Sequence, residues 1–404
     1  MAADGARSGL AVRLRLWLIG RIRRSRLLPV GMPDKRADVE RLEQRLDAEV
    51  LVFFPTGLDT LYQLRPWLPA LRALHAARGV ALVFRDSRTA RAVREESGLD
   101  CITLATYGQL DTVLARSEVR LALYVNHDPI NFECLRFTSL VHVYLGHGDS
   151  DKGVSVSNQV KAYDWCFLAG RAALERTAAN VMLYDASARS ILIGQPQLDA
   201  APSTSPDPDP QGRPTVLYAP TWEASQPSVS YGSVAEMGVE IVRSLRERYR
   251  VIYRPHPLNG VIRADYGAAD AAVRALAHRV DTDVTLEQSF ADADLLVTDI
   301  SAVPLNWLPT RKPLVVTVSV ARPPRSRLLE LVTRLGADDD VLAVVEAELE
   351  HDASREARDA LTTYYLTDVT PGAATRRFVE ACEEVMARRD GAWAERRAAG
   401  ATGP

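Results

Sequence analysis

Two histidine-bearing loops lie far apart in the chain, Gly146-His147-Gly148-Asp149-Ser150-Asp151-Lys152 and Arg254-Pro255-His256-Pro257. Imidazole titrates near neutrality without help, so each histidine is a candidate for proton transfer. Lys152 follows the first histidine and Arg254 precedes the second, each a cation suited to phosphate oxygens. The glycines flanking His147 allow a sharp turn and a close approach of backbone to ligand. The prolines around His256 rigidify its loop. Each loop follows a strand-like apolar run, Leu140–Leu145 and Tyr249–Tyr253. In open parallel sheets, ligand-binding groups collect where strands end. The pair therefore predicts a cleft between two lobes, with both imidazoles facing one phosphate-bearing ligand. A backbone-bonded turn histidine and a rigid connector are the plainer fates of these loops taken singly.

Two more strand ends carry polar groups. Val216–Tyr218 runs into Ala219-Pro220-Thr221-Trp222, which sets a hydroxyl and a large ring at the sheet edge. Leu295–Thr298 runs into Asp299-Ile300-Ser301, at the start of an expected helix. Helix starts present unpaired N–H donors and favour anions, so Thr221, Asp299 and Ser301 are candidates for holding phosphate or ribose. Asp299 and Ser301 also suit ordinary capping, and Asp299 suits fixing neighbouring donors. The GxGxxG dinucleotide fingerprint is absent, which argues against a nicotinamide or flavin enzyme. No carboxylate pair near these motifs has metal-ligand spacing, and no cofactor is expected.

The elements that must position these loops alternate along the chain. Strand candidates are Val50–Phe54, Val80–Phe84, Cys101–Leu104, Leu121–Val125, the run before His147, Trp165–Leu168 and Ile191–Ile193. A helix is expected from Asp59 to Ala77. The alternation restarts with strands at Thr215–Tyr218, Val251–Tyr253, Asp294–Thr298 and Leu314–Val318, and a helix over Val234–Arg248. Short apolar runs separated by helices indicate parallel sheets wrapped by helices, an α/β class. Residues 201–214, rich in Pro, Asp and Ser, read as a linker. The expected domains are 31–200 and 215–390, with a tail at 391–404.

The chain has 404 residues, which favours two domains over one core. A net charge of −3 gives no case for nucleic acid as a partner. Cys101, Cys134, Cys166 and Cys382 form no CxxC pair, which fits a reducing, cytoplasmic compartment and no structural zinc. No apolar run is long enough to span a bilayer. Residues 1–30 form a basic amphipathic segment: from Arg7 to Arg26 there are seven arginines and no acid, interleaved with Leu10, Leu14, Trp17 and Leu18. Such a helix can lie on the anionic inner face of a membrane, or pack on its own domain with the arginines solvated.

In this order, the motifs resemble the CDP-glycerol glycerophosphotransferase family, the teichoic-acid primases and polymerases. His147, Gly148 and Lys152 stand as in its WHGTPLK element, and Ile193–Asp199 is similar to its GYPRND turn. Leu217–Trp222 resembles LYAPTW, Arg254–Pro257 RPHP, Leu296–Val303 LITDYSSV, and Asp368–Arg376 the closing D-x-x-G-x-A-x-x-R element. The resemblance runs from about Val141 to Val385. Departures fall at Asp149-Ser150-Asp151 for Thr-Pro-Leu, Gln195 and Gln197 for Tyr and Arg, Ala302 for Ser, and Leu305-Asn306 for Phe-Asp. Tyr144-Leu145-Gly146 also replaces the Trp usual before His-Gly.

The resemblance implies a GT-B-like fold, two Rossmann-like domains with a cleft between them and the last helix crossing back to the first. It implies transfer of a polyol phosphate from a CDP-linked donor to an acceptor hydroxyl, on a lipid-linked or polymeric glycan or polyol, with release of CMP. His147 is then the expected base, with Arg254, His256 and Lys152 on the diphosphate. Thr221, Asp299 and Ser301 hold the donor, and Gly148 lines the site. A nucleotide-sugar glycosyltransferase on the same fold is the second reading, and a non-catalytic nucleotide- or polymer-binding homologue the third.

Overall fold

The computed structural model describes residues 45–151, 156–199, 206–223, 230–319 and 326–400. Lys152 and the basic segment 1–30 lie outside the described residues.

The first lobe holds a seven-stranded sheet. Its strands are β1 (Val50–Phe54), β2 (Val80–Phe84), β3 (Asp100–Thr103), β4 (Leu121–Tyr124), β5 (Val141–Tyr144), β6 (Trp165–Leu168) and β7 (Ser190–Leu192). They lie in the order β3-β2-β1-β4-β5-β6-β7, all parallel, with Val50 opposite Val80 on one side and Leu121 on the other. The second lobe holds six parallel strands: β8 (Thr215–Ala219), β9 (Arg250–Tyr253), β10 (Arg279–Val280), β11 (Leu295–Thr298), β12 (Leu314–Val318) and β13 (Thr333–Gly336). Their order is β10-β9-β8-β11-β12-β13, so strand order reverses at β1/β4 in one sheet and β8/β11 in the other. The expected α/β class with two Rossmann-like lobes is the fold observed.

Continuous apolar runs form these strands because both sheet faces are covered. Val50, Val52 and Phe54 point into one core, while Leu51 and Phe53 point into the other. The second lobe repeats this, with Leu217 and Ala219 on one face and Val216 and Tyr218 on the opposite one.

Three expectations are corrected. The helix expected over 59–77 is broken into 3-10 turns at Leu58–Gln63 and Arg65–Trp67, and the α-helix starts only at Leu68. Pro66 and Pro69 account for this, since each lacks an N–H and suits a helix start rather than its interior. The helix expected from Val234 opens with a wide π-type turn, Val234–Gly238, before the α-helix Val239–Leu245. The tail expected at 391–404 is helical as far as Ala398. That helix, Ala373–Ala398, packs Phe378, Cys382, Val385 and Met386 into the first lobe's core, with Phe378 5.5 Å from Trp67. Within the expected linker, Asp207 pairs with Arg250 and Arg279, and Asp209 with Arg213, tying residues 206–214 to the second lobe.

Candidate active site

In the second lobe the site is assembled at the strand-order reversal. Asp299 follows β11 and is fully buried. It accepts hydrogen bonds from the backbone N–H of Thr221 (2.7 Å) and Ser233 (3.1 Å) and from the Thr317 hydroxyl. Burial pushes its carboxyl pKa up, while these donors and the Ser233 hydroxyl pull it down. Asp299 thus holds the loop after β8 rather than reaching a ligand itself. Ser301 is buried, and its hydroxyl accepts from the Val303 N–H at 3.2 Å, a local serine turn just before the next helix, whose N-cap is Ala302.

Trp222 stacks on His256, with ring centroids 5.8 Å apart and planes 13° from parallel. Glu223, missed in the sequence, is buried and accepts from the N–H groups of Gly260, Ile262 and Arg263. It fastens the stretch after His256 to the stretch after β8. A carboxylate directly following Ala-Pro-Thr-Trp was its only sequence signal. His256 accepts at Nδ1 from the Leu258 N–H (3.1 Å), so the neutral ring carries its proton on Nε2 and can donate there. Arg254 donates from Nη1 to the carbonyls of Val284 (3.0 Å) and Thr285 (3.2 Å) and to the Ser289 hydroxyl (3.0 Å). Burial lowers its pKa, with Asp281 and Glu287 acting in the opposite direction. Among the described residues, its Nε and Nη2 have no partner, which leaves two donors for an anion.

In the first lobe, Gly146 takes the left-handed conformation (φ 68°) that turns the chain after β5. Its carbonyl accepts from the Trp67 indole at 2.8 Å. His147 stands edge-on to Tyr62 at 6.2 Å, and the nearby Val125 carbonyl favours its charged form. Its ring is open to solvent, yet desolvation lowers its pKa. Gly148, next to it, is exposed.

The rest of this loop is held by a charge cluster that spans the lobes. Arg176 pairs with Asp149 and Asp151. Asp151 also accepts from the Tyr365 hydroxyl at 2.5 Å and from the Ser326 hydroxyl, both in the second half of the chain. Gln195 donates to Asn306 across the same boundary at 3.2 Å.

His127, after β4, stacks on Tyr144 with centroids 3.9 Å apart and planes 8° from parallel. Burial, with a smaller contribution from His147, lowers its pKa to about 4. Between the ordinary value of 6.5 and about 4, the unfolded chain binds a proton that the folded ring refuses. Stability should therefore fall as pH drops through this window. His142, whose pKa burial also lowers, acts in the same direction. The unfolding midpoint should fall less between pH ~7 and pH ~5 in His127→Gln than in the parent, read by thermal melts. Equal losses would remove His127 from this account.

Among the described residues, no group of three or more His, Cys, Asp or Glu is placed to hold a metal, and no helix is long and apolar enough to cross a membrane.

Two Rossmann-like lobes with polar loops at the strand ends define an α/β enzyme fold of GT-B type. Residues 145–319 match the family model described as CDP-Glycerol:Poly(glycerophosphate) glycerophosphotransferase. That segment contains His147, Thr221, Arg254, His256, Asp299 and Ser301, and its match points to chemistry of glycerophosphotransferase type. Solved structures with the same fold include the wall teichoic acid polymerase TagF in a form soaked with CDPG, at 13% identity and TM-score 0.58, over 96% of this chain and 99% of that one. A putative UDP-N-acetylglucosamine 2-epimerase from Listeria monocytogenes matches at 14% identity and TM-score 0.58, over 84% and 96%. A UDP-bound S. aureus MnaA matches at 13% and 0.57, over 84% and 97%. No curated protein matches the sequence significantly.

Proposed function

We propose that this enzyme transfers a polyol phosphate, glycerol phosphate foremost, from a CDP-linked donor to an acceptor hydroxyl during cell-envelope polymer synthesis. The acceptor is a lipid-linked or polymeric glycan or polyol. The observation that carries the reading is the state of the two imidazoles. His147 is an imidazole whose charged form is desolvated, so the ring is held toward its neutral, proton-accepting state, and His256 accepts at Nδ1 and so donates from Nε2. In the reaction, His147 takes the acceptor's proton as its oxygen attacks the polyol-bearing phosphorus. The bond from that phosphorus to the bridging oxygen breaks, and CMP leaves with the electron pair. His256 and the two open donors of Arg254 stabilise the charge gathering on the leaving phosphate. Thr221 and Ser301 line the donor site, with Asp299 fixing its walls, while Lys152 joins Arg254 and His256 on the diphosphate and Gly148 lines the site. The reading requires the two histidines to meet on one diphosphate.

Support for a place on the inner membrane face comes from the arginine-rich, Trp- and Leu-bearing segment 1–30. The decisive experiment is mass analysis of the nucleotide product from CDP-glycerol and a polyol or glycan acceptor. CMP with a lengthened acceptor is expected. Formation of a nucleoside diphosphate would instead place the chain among sugar transferases.

A further inference from the structure

Immediately behind the His147 loop is a cavity of about 80 Å³, where one water needs roughly 10–15 Å³ on the same measure. Gly146 and Gly148, the neighbours of His147, form part of its wall. Four buried polar atoms on residues lining it have no hydrogen-bond partner among the described residues: Asp149 Oδ2, Arg176 Nε, Gln195 Oε1 and Gln197 Oε1. Gln195 is 8% exposed, so its unmatched oxygen is not simply facing solvent. Native proteins rarely leave such atoms unpaired, and several around one cavity point to a missing occupant.

The chemistry of that occupant follows from the inventory. Three of the four atoms are acceptors and one is a donor, so the occupant is rich in hydroxyl donors. Arg176 is already matched by two carboxylates, Asp149 and Asp151, so its charge is not open to an external anion. Trp67, Tyr144 and Phe167 supply aromatic walls suited to the C–H faces of a polyol or sugar. Asp149, Gln195 and Gln197 are also positions at which the chain departs from the family pattern. Those departures, distant in sequence, meet in this one cavity.

We infer that this pocket is an acceptor subsite selecting a neutral, hydroxyl-rich unit, a polyol or sugar without phosphate, and presenting it to His147. The inference rests on the transfer reaction proposed above and adds the class of acceptor. Gln197 is the sharpest probe. Its amide makes no hydrogen bond that a substitution would break, so Gln197→Leu should fold. Saturation-transfer NMR on the whole protein, with free ribitol, glycerol and glycerol 1-phosphate as probes, reads the pocket directly. The neutral polyols should bind the parent and lose their signal in Gln197→Leu. The acceptor KM should rise about tenfold, the value of roughly one hydrogen bond, with a smaller change in kcat. Tighter binding of glycerol 1-phosphate than glycerol would overturn the inference, as would polyol signals unchanged in the variant. So would a pocket that takes only water while CDP-glycerol is turned over normally. Loss of donor turnover with polyol binding intact would overturn the transfer reaction and leave the polyol pocket standing.

Discussion

His147→Ala should lower kcat by roughly 10²–10⁴-fold, the usual contribution of a positioned general base, while donor affinity measured by calorimetry stays close to the parent value. Donor phosphates are assigned to Lys152 and, in the other lobe, to Arg254, His256 and the loops around Asp299, so removing the His147 imidazole leaves their charges in place. The pH profile gives the finer test. A base works only when neutral, and desolvation lowers the His147 pKa from its ordinary 6.5. The acid limb of kcat against pH should therefore fall below that value, and the alanine variant should lose it. His256→Ala should instead weaken leaving-group stabilisation without moving the acid limb. Near-parental turnover in both variants would end the assignment.

How much of this could be read from the residues depended on range. Strands β1, β2, β8, β11 and β12 were legible because both their faces are buried, which forces unbroken apolar runs. β10 and β13 were not. The first has two residues, and the second exposes Arg334 at an edge, so neither leaves an apolar signature. The loops bearing His147 and His256 were legible as local motifs. Arg176 was not, because its pairing with Asp149 and Asp151 exists only once the helix Arg171–Asn180 packs beside the loop. The same holds for Glu223, whose three donors come from residues 260–263. Asp299 was visible as a polar residue at a strand end. That it serves other residues instead of a ligand depends on its complete burial, which no local pattern encodes.

Asp299 should consequently be the residue whose loss costs the second lobe most. Asp299→Ala strands the N–H groups of Thr221 and Ser233 and the hydroxyl of Thr317 in a site closed to water. Each buried group left unmatched costs about 1–3 kcal/mol, so the sum is several kcal/mol against a total stability of roughly 5–15 kcal/mol. The unfolding midpoint should drop by many degrees, or soluble protein should be lost. Asp299→Asn separates geometry from charge. Its carbonyl oxygen can still face both N–H groups, while its NH₂ faces Thr317, whose hydroxyl rotates to accept. That variant should fold with a much smaller loss, and its main defect should be a raised donor KM from the loosened loop after β8. Equal destabilisation by Asn and Ala would mean that the negative charge itself holds the loop. Unchanged melting in Asp299→Ala would mean that the loops around Thr221 and Ser233 are held by other contacts.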